Sequence, residues 1–332
     1  ANNAYQGIQS NLAGYIHEEF GLNPLTKMVV GLRLERYDQF YTGVDQQEAA
    51  APGTGINYQL EPVLNNFNLF PTASLIYSVN ENSNLRFGAF RTVARPSFKE
   101  KSAAQIEDVL TGITFIGNLD LTNTTISNLD FRYEYFFEGG QTIGLSGFYK
   151  YFQNPIELVA YSAAAPSNFQ PRNVGNATVA GAEFEVRKNL GFIGMKHLEL
   201  NSNFSYILSS VTRDSSEFAA RVASAREGEV ISETRAMQGQ SPYLINAGLS
   251  YNNPKNGWQG GLFYNVQGEK LYIVGVVDNP DVFEVPFHSL NFNLLKNFGA
   301  DRQYQFGLGV NNIMDDTRDR IFRSYNSHSP FF

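Results

Sequence analysis

The residues that could carry bond-making chemistry in this chain are few and badly placed for it. The four histidines, His17, His197, His288 and His328, are scattered, and none forms the His-x-x-x-His pair that puts two imidazoles on one zinc ion. Glu183 and Glu185 stand two apart and so share one face of a strand, the arrangement of paired carboxylates in acid–base catalysis, but neighbouring inward positions on a wet face account for them better. Asp315, Asp316 and Asp319 lack the spacing of a calcium-binding hand, and neither a glycine-rich phosphate loop nor a nucleophile elbow occurs. No metal, cofactor or catalytic set is expected, and the reading is of a chain that is not an enzyme. The absence of Cys excludes a disulfide scaffold and thiolate metal sites, and a net charge of −7 argues against nucleic acid as a partner.

The elements that hold these residues alternate strictly. From Thr26 to Tyr37, Met28, Val30, Leu32 and Leu34 share one face of a strand while Arg33 and Glu35 share the other. Leu85, Phe87 and Ala89 then oppose Arg86 and Thr92, and Leu129, Phe131, Tyr133 and Tyr135 oppose Asn128, Asp130, Arg132 and Glu134. Mean hydropathy, −0.27, is uninformative for a fold that is apolar only at alternate positions. The longest apolar run, Leu271 to Val277, is far short of the roughly 18 residues of a spanning helix. Residues 1 to 15 show no secretion signal.

The pattern predicts twelve strands, at 5–20, 26–37, 66–79, 83–95, 122–137, 141–154, 172–188, 197–211, 240–252, 257–268, 285–298 and 303–314. Short breakers such as Gly21-Leu22-Asn23-Pro24, Glu138-Gly139-Gly140 and Gly299-Ala300-Asp301 alternate with long polar segments at 38–65, 96–121, 155–171, 212–239 and 269–284. Strands of this length cross a bilayer at a tilt, and turns that alternate short and long match the inner and outer sides of an outer-membrane barrel. A soluble sandwich or solenoid also alternates, but with shorter strands and no such asymmetry. Tyr77, Phe137, Tyr251, Trp258 and Tyr304 fall near the short turns, and Tyr37, Phe67, Tyr149, Tyr206 and Tyr243 near the long loops, as two interfacial belts would. The fold expected is an all-β antiparallel transmembrane barrel in the bacterial outer membrane, with outer-membrane lipids on one face.

The other face is polar. Arg33, Glu35, Arg86, Asp130, Arg132, Glu134, Glu183, Glu185 and Arg187 are assigned to the lumen, with Lys150, Asn201, Asn203, Asn246, Asn265, Asn291 and Asn293. Candidates for ligand binding at the lumen mouth are Arg95, Lys150, Asn173, Gln240, Asn265 and Gln267, with Tyr161 and Phe169 as rings that could stack on a ligand or pack the loops. Because the first connection is short, the first strand runs inward. Residues 1–332 are therefore expected to be part of one larger barrel domain, with early strands and the last strand missing.

Several segments resemble the barrel of TonB-dependent outer-membrane receptors. These are Arg91-Thr92-Val93-Ala94-Arg95-Pro96, Gly117-Asn118-Leu119-Asp120-Leu121, Phe148-Tyr149-Lys150, Ala180-Gly181-Ala182-Glu183-Phe184-Glu185, Gln238-Gly239-Gln240-Ser241-Pro242-Tyr243 and Asn311-Asn312-Ile313-Met314-Asp315-Asp316, in the family's order. Leu119 stands where the family usually has Pro. The resemblance implies a 22-stranded barrel with a plug that is missing here, contact with the inner-membrane TonB complex through that plug, and energy-coupled uptake of a scarce ligand such as an iron chelate, an oligosaccharide or a peptide. The rival is a passive porin-like or structural barrel that scaffolds surface lipoproteins. A surface lipoprotein is a possible partner under either reading.

Overall fold

A computed structural model describes residues 4–323 apart from 110, 111, 163, 226, 227, 229 and 278. Its frame is one antiparallel meander of twelve strands: β1 Gln6–Asn23, β2 Thr26–Val44, β3 Asn57–Asn80, β4 Ser83–Ala94, β5 Thr124–Phe136, β6 Thr142–Gln153, β7 Ala177–Leu190, β8 Met195–Thr212, β9 Tyr243–Asn253, β10 Trp258–Gln267, β11 Phe287–Phe298 and β12 Tyr304–Val310. Each pairs with the next in sequence, so every hydrogen bond of the ladder is made to a neighbour and the sheet has the wiring of a barrel wall. Among the described residues no helix is long and apolar enough to cross a membrane, which says nothing of crossing by strands.

All twelve expected strands are present, with differences at some ends; the last, expected to run to 314, stops at Val310. β2 and β3 run on to Val44 and from Asn57, so most of the segment 38–65 is paired strand and the loop itself is 45–56. The fully extended pairing is held past Tyr37 because Gln39 and Tyr41 continue the buried face. At the other end, Arg172 and Asn173 belong to an outer-loop strand, and β7 begins at Ala177. His328 and Phe332 lie outside the described residues.

Three of the short turns share one device. Asn23, Asn80 and Asn253 each accept, on the side-chain oxygen, the N–H two residues on, at 2.9, 2.9 and 3.0 Å. That bond mimics a backbone turn and lets the chain reverse in a few residues. Gly257 adds a positive φ of 72° where a Cβ would meet the Asn297 carbonyl at 2.4 Å.

Register fixes the faces. Leu32 pairs with Ile16 and Pro71, Phe87 with Leu75 and Phe131, Leu145 with Tyr133 and Phe184, and Leu294 with Leu308, which makes one continuous apolar surface. Those side chains are exposed or half-exposed, whereas Glu35 on the opposite face is buried. Phe67 and Tyr77 lie ten residues apart on β3, about 33 Å along the strand and about 25 Å after the tilt of a barrel strand, the height of an outer-membrane apolar band. Tyr77, Tyr251, Trp258 and Tyr304 ring the inner edge, and Phe67, Tyr149, Tyr206 and Tyr243 the outer edge. Tyr37 does not join them. It shares parity with Arg33 and Glu35, is 6% exposed, donates to Gln9 at 3.1 Å and lies under Arg95, so it belongs to the inner face.

The dry core lies in the outer loops. Gln105–Asp108, Ile113–Ile116, Ala165–Asn173 and Ile156–Ser162 form a four-stranded sheet, and Lys270–Ile273, Asp281–Glu284 and Arg320–Arg323 a three-stranded one, joined through a bridge between Val159 and Val274. Val159, Val174, Ala177, Val211, Leu271 and Val274 are buried together, with Ala160, Phe169 and Ile273 beside them. The apolar run at 271–277 thus supplies the centre of an extracellular cap.

Candidate functional site

The lumen wall carries a chain of charges. On β2, Arg33 reaches Glu35 at 2.7 Å, and Arg95, entering from the end of β4, pairs with the same carboxylate while its guanidinium sits 4.4 Å from the centre of the Tyr37 ring. Further round, Arg86 bonds Glu134 at 2.8 Å, Arg132 bonds Glu134 at 2.9 Å, and Arg132 also reaches Glu185 at 2.6 Å. Arg132 is on β5 and Glu185 on β7, so the guanidinium must cross β6. Gly144 makes the crossing possible, since a Cβ there would stand 3.1 Å from an Arg132 nitrogen. Arg187 closes the series on Glu199 at 3.1 Å. Arg33, Glu35, Arg86, Arg132, Glu134, Glu185 and Arg187, expected on one face, each have a charged partner there.

Three inward groups are left out of that chain. Asp130, Lys150 and Glu183 form no ion pair among the described residues; Glu183 accepts only from Ser205 at 3.3 Å, and Lys150 lies 5.8 Å from the centre of the Phe148 ring. They line one concavity of about 670 Å³, roofed from outside by Met237, Gln238, Gly239 and Gln240. Two of the candidates expected at the lumen mouth, Lys150 and Gln240, are brought together here. Both signs of charge, an amide and the rings of Phe148 and Phe152 converge on a space open to the lumen, the mixture that small-ligand sites use.

The remaining candidates fall elsewhere. Asn265 bonds Asn246, which bonds Asn203 at 2.7 Å, and with Asn201, Asn291 and Phe263 they line an uncharged recess of about 290 Å³ further round the wall. Gln267, at the end of β10, accepts from Lys270 at 3.4 Å. Tyr161 and Asn173 line a cavity of about 410 Å³ in the cap, beside Arg172 and Asp214. Asn173 also latches two loops, donating to the Thr122 and Asn154 carbonyls at 3.1 and 2.8 Å and accepting from the Thr122 N–H at 2.8 Å. Phe169 is 7% exposed, and its ring is packed in the cap. Asp316 accepts the His288 and Thr317 N–H groups at 2.7 and 2.9 Å, and among the described residues no group of three or more His, Asp or Glu is placed to hold a metal.

The cap holds the residues that sequence reasoning missed. Arg235 pairs with Glu157 at 2.6 Å and Glu217 at 2.9 Å, Arg213 with Glu217 at 3.2 Å, and Arg221 with Asp281 at 2.7 Å, linking three loops. Burial works against the charge on Arg235, but the Glu157 and Glu217 carboxylates outweigh it and raise its pKa further. Full burial pushes Asp281 up while Arg221 opposes that. Gln238 stitches the roof to the cap: its amide donates to the Leu158 and Tyr272 carbonyls at 2.9 and 2.5 Å and accepts the Leu158 N–H at 2.6 Å. One local signal was available. Asp214 and Glu217 bracket a helix start, and the Asp214 carboxylate caps the Glu217 N–H at 2.7 Å to open the helix Ser215–Ala223. Asp45 and Glu48 do the same for Gln46–Ala50 at 2.8 Å.

The TonB dependent receptor-like, beta-barrel family model matches residues 1–313. This chain belongs to the TonB-dependent receptor family. Membership places the barrel in the bacterial outer membrane, and the family is one of receptors and transporters rather than a class of enzymes. Among solved structures, the copper transporter OprC is 15% identical with a TM-score of 0.66 over 94% of this chain and 43% of its own. The unliganded ferric citrate transporter FecA is 14% identical with a TM-score of 0.65 over 98% and 43%. The ferric yersiniabactin uptake receptor FyuA of Yersinia pestis is 14% identical with a TM-score of 0.63 over 94% and 41%. The chain spans about two fifths of the length of these structures, and the likeness is one of fold. No curated protein matches it by sequence.

Proposed function

We propose that this receptor wall serves energy-coupled uptake of a scarce, polar extracellular ligand such as an iron chelate, an oligosaccharide or a peptide, and that the ligand passes the concavity under Gln238–Gln240 on its way in. The observation that carries this reading is the contrast on one wall between charges already paired and the unpaired set of Asp130, Lys150 and Glu183 in that concavity. Charge kept without a partner in a polar recess is available to a ligand at little desolvation cost beyond its own. On this reading residues 1–332 act as one domain, the wall, and coupling to the inner-membrane TonB complex runs through the plug of the whole receptor. A surface lipoprotein seated on the cap is a further partner that the reading allows.

The test uses the full-length receptor in cells with and without the energising complex. Lys150→Ala and Asp130→Ala are each expected to lower uptake of the cognate ligand at least tenfold while leaving the amount of folded barrel in the membrane unchanged. Uptake that persists at full rate in both variants, or that never depends on the energising complex, refutes the proposal.

A further inference from the structure

The lipid-facing side of the sheet has a local hollow across β3 to β6. Phe87 pairs with Phe131, which pairs with Gly147, and one step further out Ala73 pairs with Ala89, which pairs with Leu129. The Phe87 and Phe131 rings lie together with centroids 5.1 Å apart, whereas Gly147 beside them presents no side chain and Ala73 and Ala89 present a methyl group each. The result is an apolar groove of about 590 Å³ set into that face. Nothing in the fold requires the gap: a Cβ on Gly147 would have only the Gly181 carbonyl, at 3.9 Å, within 4 Å.

A cation stands at the outer end of this groove. Arg91 follows Ala89 by two residues on β4, so it points to the same lipid side, in one row with Ser127 and Tyr151. It is exposed, and it has no ion-pair or hydrogen-bond partner among the described residues. Six residues separate it from Leu85, the neighbour of Tyr77 in the inner belt, which is about 15 Å of height after the tilt of the strand. That puts Arg91 in the outer half of an apolar band about 25 Å tall, where a guanidinium avoids hydrocarbon by snorkelling along its stem to the headgroup level.

The geometry points to a specific lipid site: an acyl chain of an outer-leaflet phosphorylated glycolipid lies in the groove over Ala73, Ala89 and Gly147, and its phosphate is held by Arg91 with Ser127 and Tyr151 beside it. A guanidinium at the headgroup level selects phosphate through a two-pronged charge-assisted contact, and the groove supplies the apolar contact that an ordinary wall surface of bulky side chains would spread out. A zwitterionic lipid offers the same chain but a compensated headgroup, and a second copy of the chain would bring no phosphate to Arg91. The site lies on the opposite face from the lumen and is independent of which ligand is imported.

The experiment takes the full-length receptor from its own outer membrane in mild detergent and counts bound phosphorylated glycolipid by native mass spectrometry, with heat-modifiable gel migration as the check on folding. The wild type is expected to retain about one such lipid that survives delipidating washes. Gly147→Leu, which fills the groove, and Arg91→Gln, at the exposed head of the site, are each expected to lower retention at least tenfold. Delipidated wild type is then titrated with the purified glycolipid and, separately, with phosphatidylcholine, and only the former is expected to bind saturably. Retention equal to wild type in both folded variants overturns the proposal. So does equal uptake of phosphatidylcholine, or a change of oligomeric state in Gly147→Leu with lipid retention intact.

Discussion

Ion pairs in the cap and ion pairs on the lumen wall use the same residue types for different ends. In the cap, Glu157, Arg221, Arg235 and Asp281 have side chains less than 10% exposed, and their partners come from loops far apart in the chain. On the wall, Arg33, Arg86 and Arg132 remain about one third to one half exposed, with partners on the same or nearby strands. The cap pairs tie separate loops together beside the apolar cluster around Val159 and Val274. The wall pairs hold charge in place on a surface whose backbone is already fixed by its ladder. A buried pair is costly to break because it strands an uncompensated charge, while a half-exposed pair can exchange its partner for water or for a passing ligand.

That contrast can be measured. The largest effect is expected from Arg235→Met, which leaves Glu157 buried without its cation and Glu217 with Arg213 alone, and costs about 3–5 kcal/mol of local stability. Hydrogen exchange should speed up across 155–162 and 233–240 and stay unchanged in β5 and β6; unchanged exchange in the loops would mean that the pairs do not hold the cap. Arg132→Gln is expected to cost about 1 kcal/mol in urea unfolding, since water screens what it leaves behind. Gly144→Val should abolish most of the coupling between Arg132 and Glu185 in a double-mutant cycle by obstructing the crossing over β6. A wall penalty as large as that of the cap would erase the distinction between them.

The smallest effect concerns pH. Burial of Lys101, whose amine donates to the Leu119 and Leu121 carbonyls at 2.5 Å each, lowers its pKa to about 8. The unfolded loop holds that proton up to about pH 10.4, so between the two values the unfolded state binds more protons and local stability rises with pH. Exchange protection in 100–121, corrected for the intrinsic rate, should increase from pH 8 to pH 10 and lose that trend in Lys101→Met.

The wall was legible because its rule is local. Once Leu32 faces lipid, Arg33 and Glu35 must face the lumen, and the register repeats that inference from strand to strand. Even so, alternation could not tell that Tyr37 continues the inner face beneath Arg95 rather than joining the belt, because a ring suits either side of a strand end. The cap was not legible, since Arg235 and Glu157 meet through a pairing of loops separated by the whole β7–β8 hairpin, and no period marks such a meeting. The candidates at the mouth divided on the same line: Lys150 and Gln240 sit on or beside wall strands and share one concavity, while Asn173 and Phe169 hold the cap together.

Gln238 joins the roof of the lumen to loops on either side of it, so these three loops are one body and not a set of independent fingers. A surface exposed to phages and antibodies diversifies fastest where each residue can drift alone. Loops tied in this way are expected to tolerate change in concert, which makes them poor candidates for piecemeal swapping.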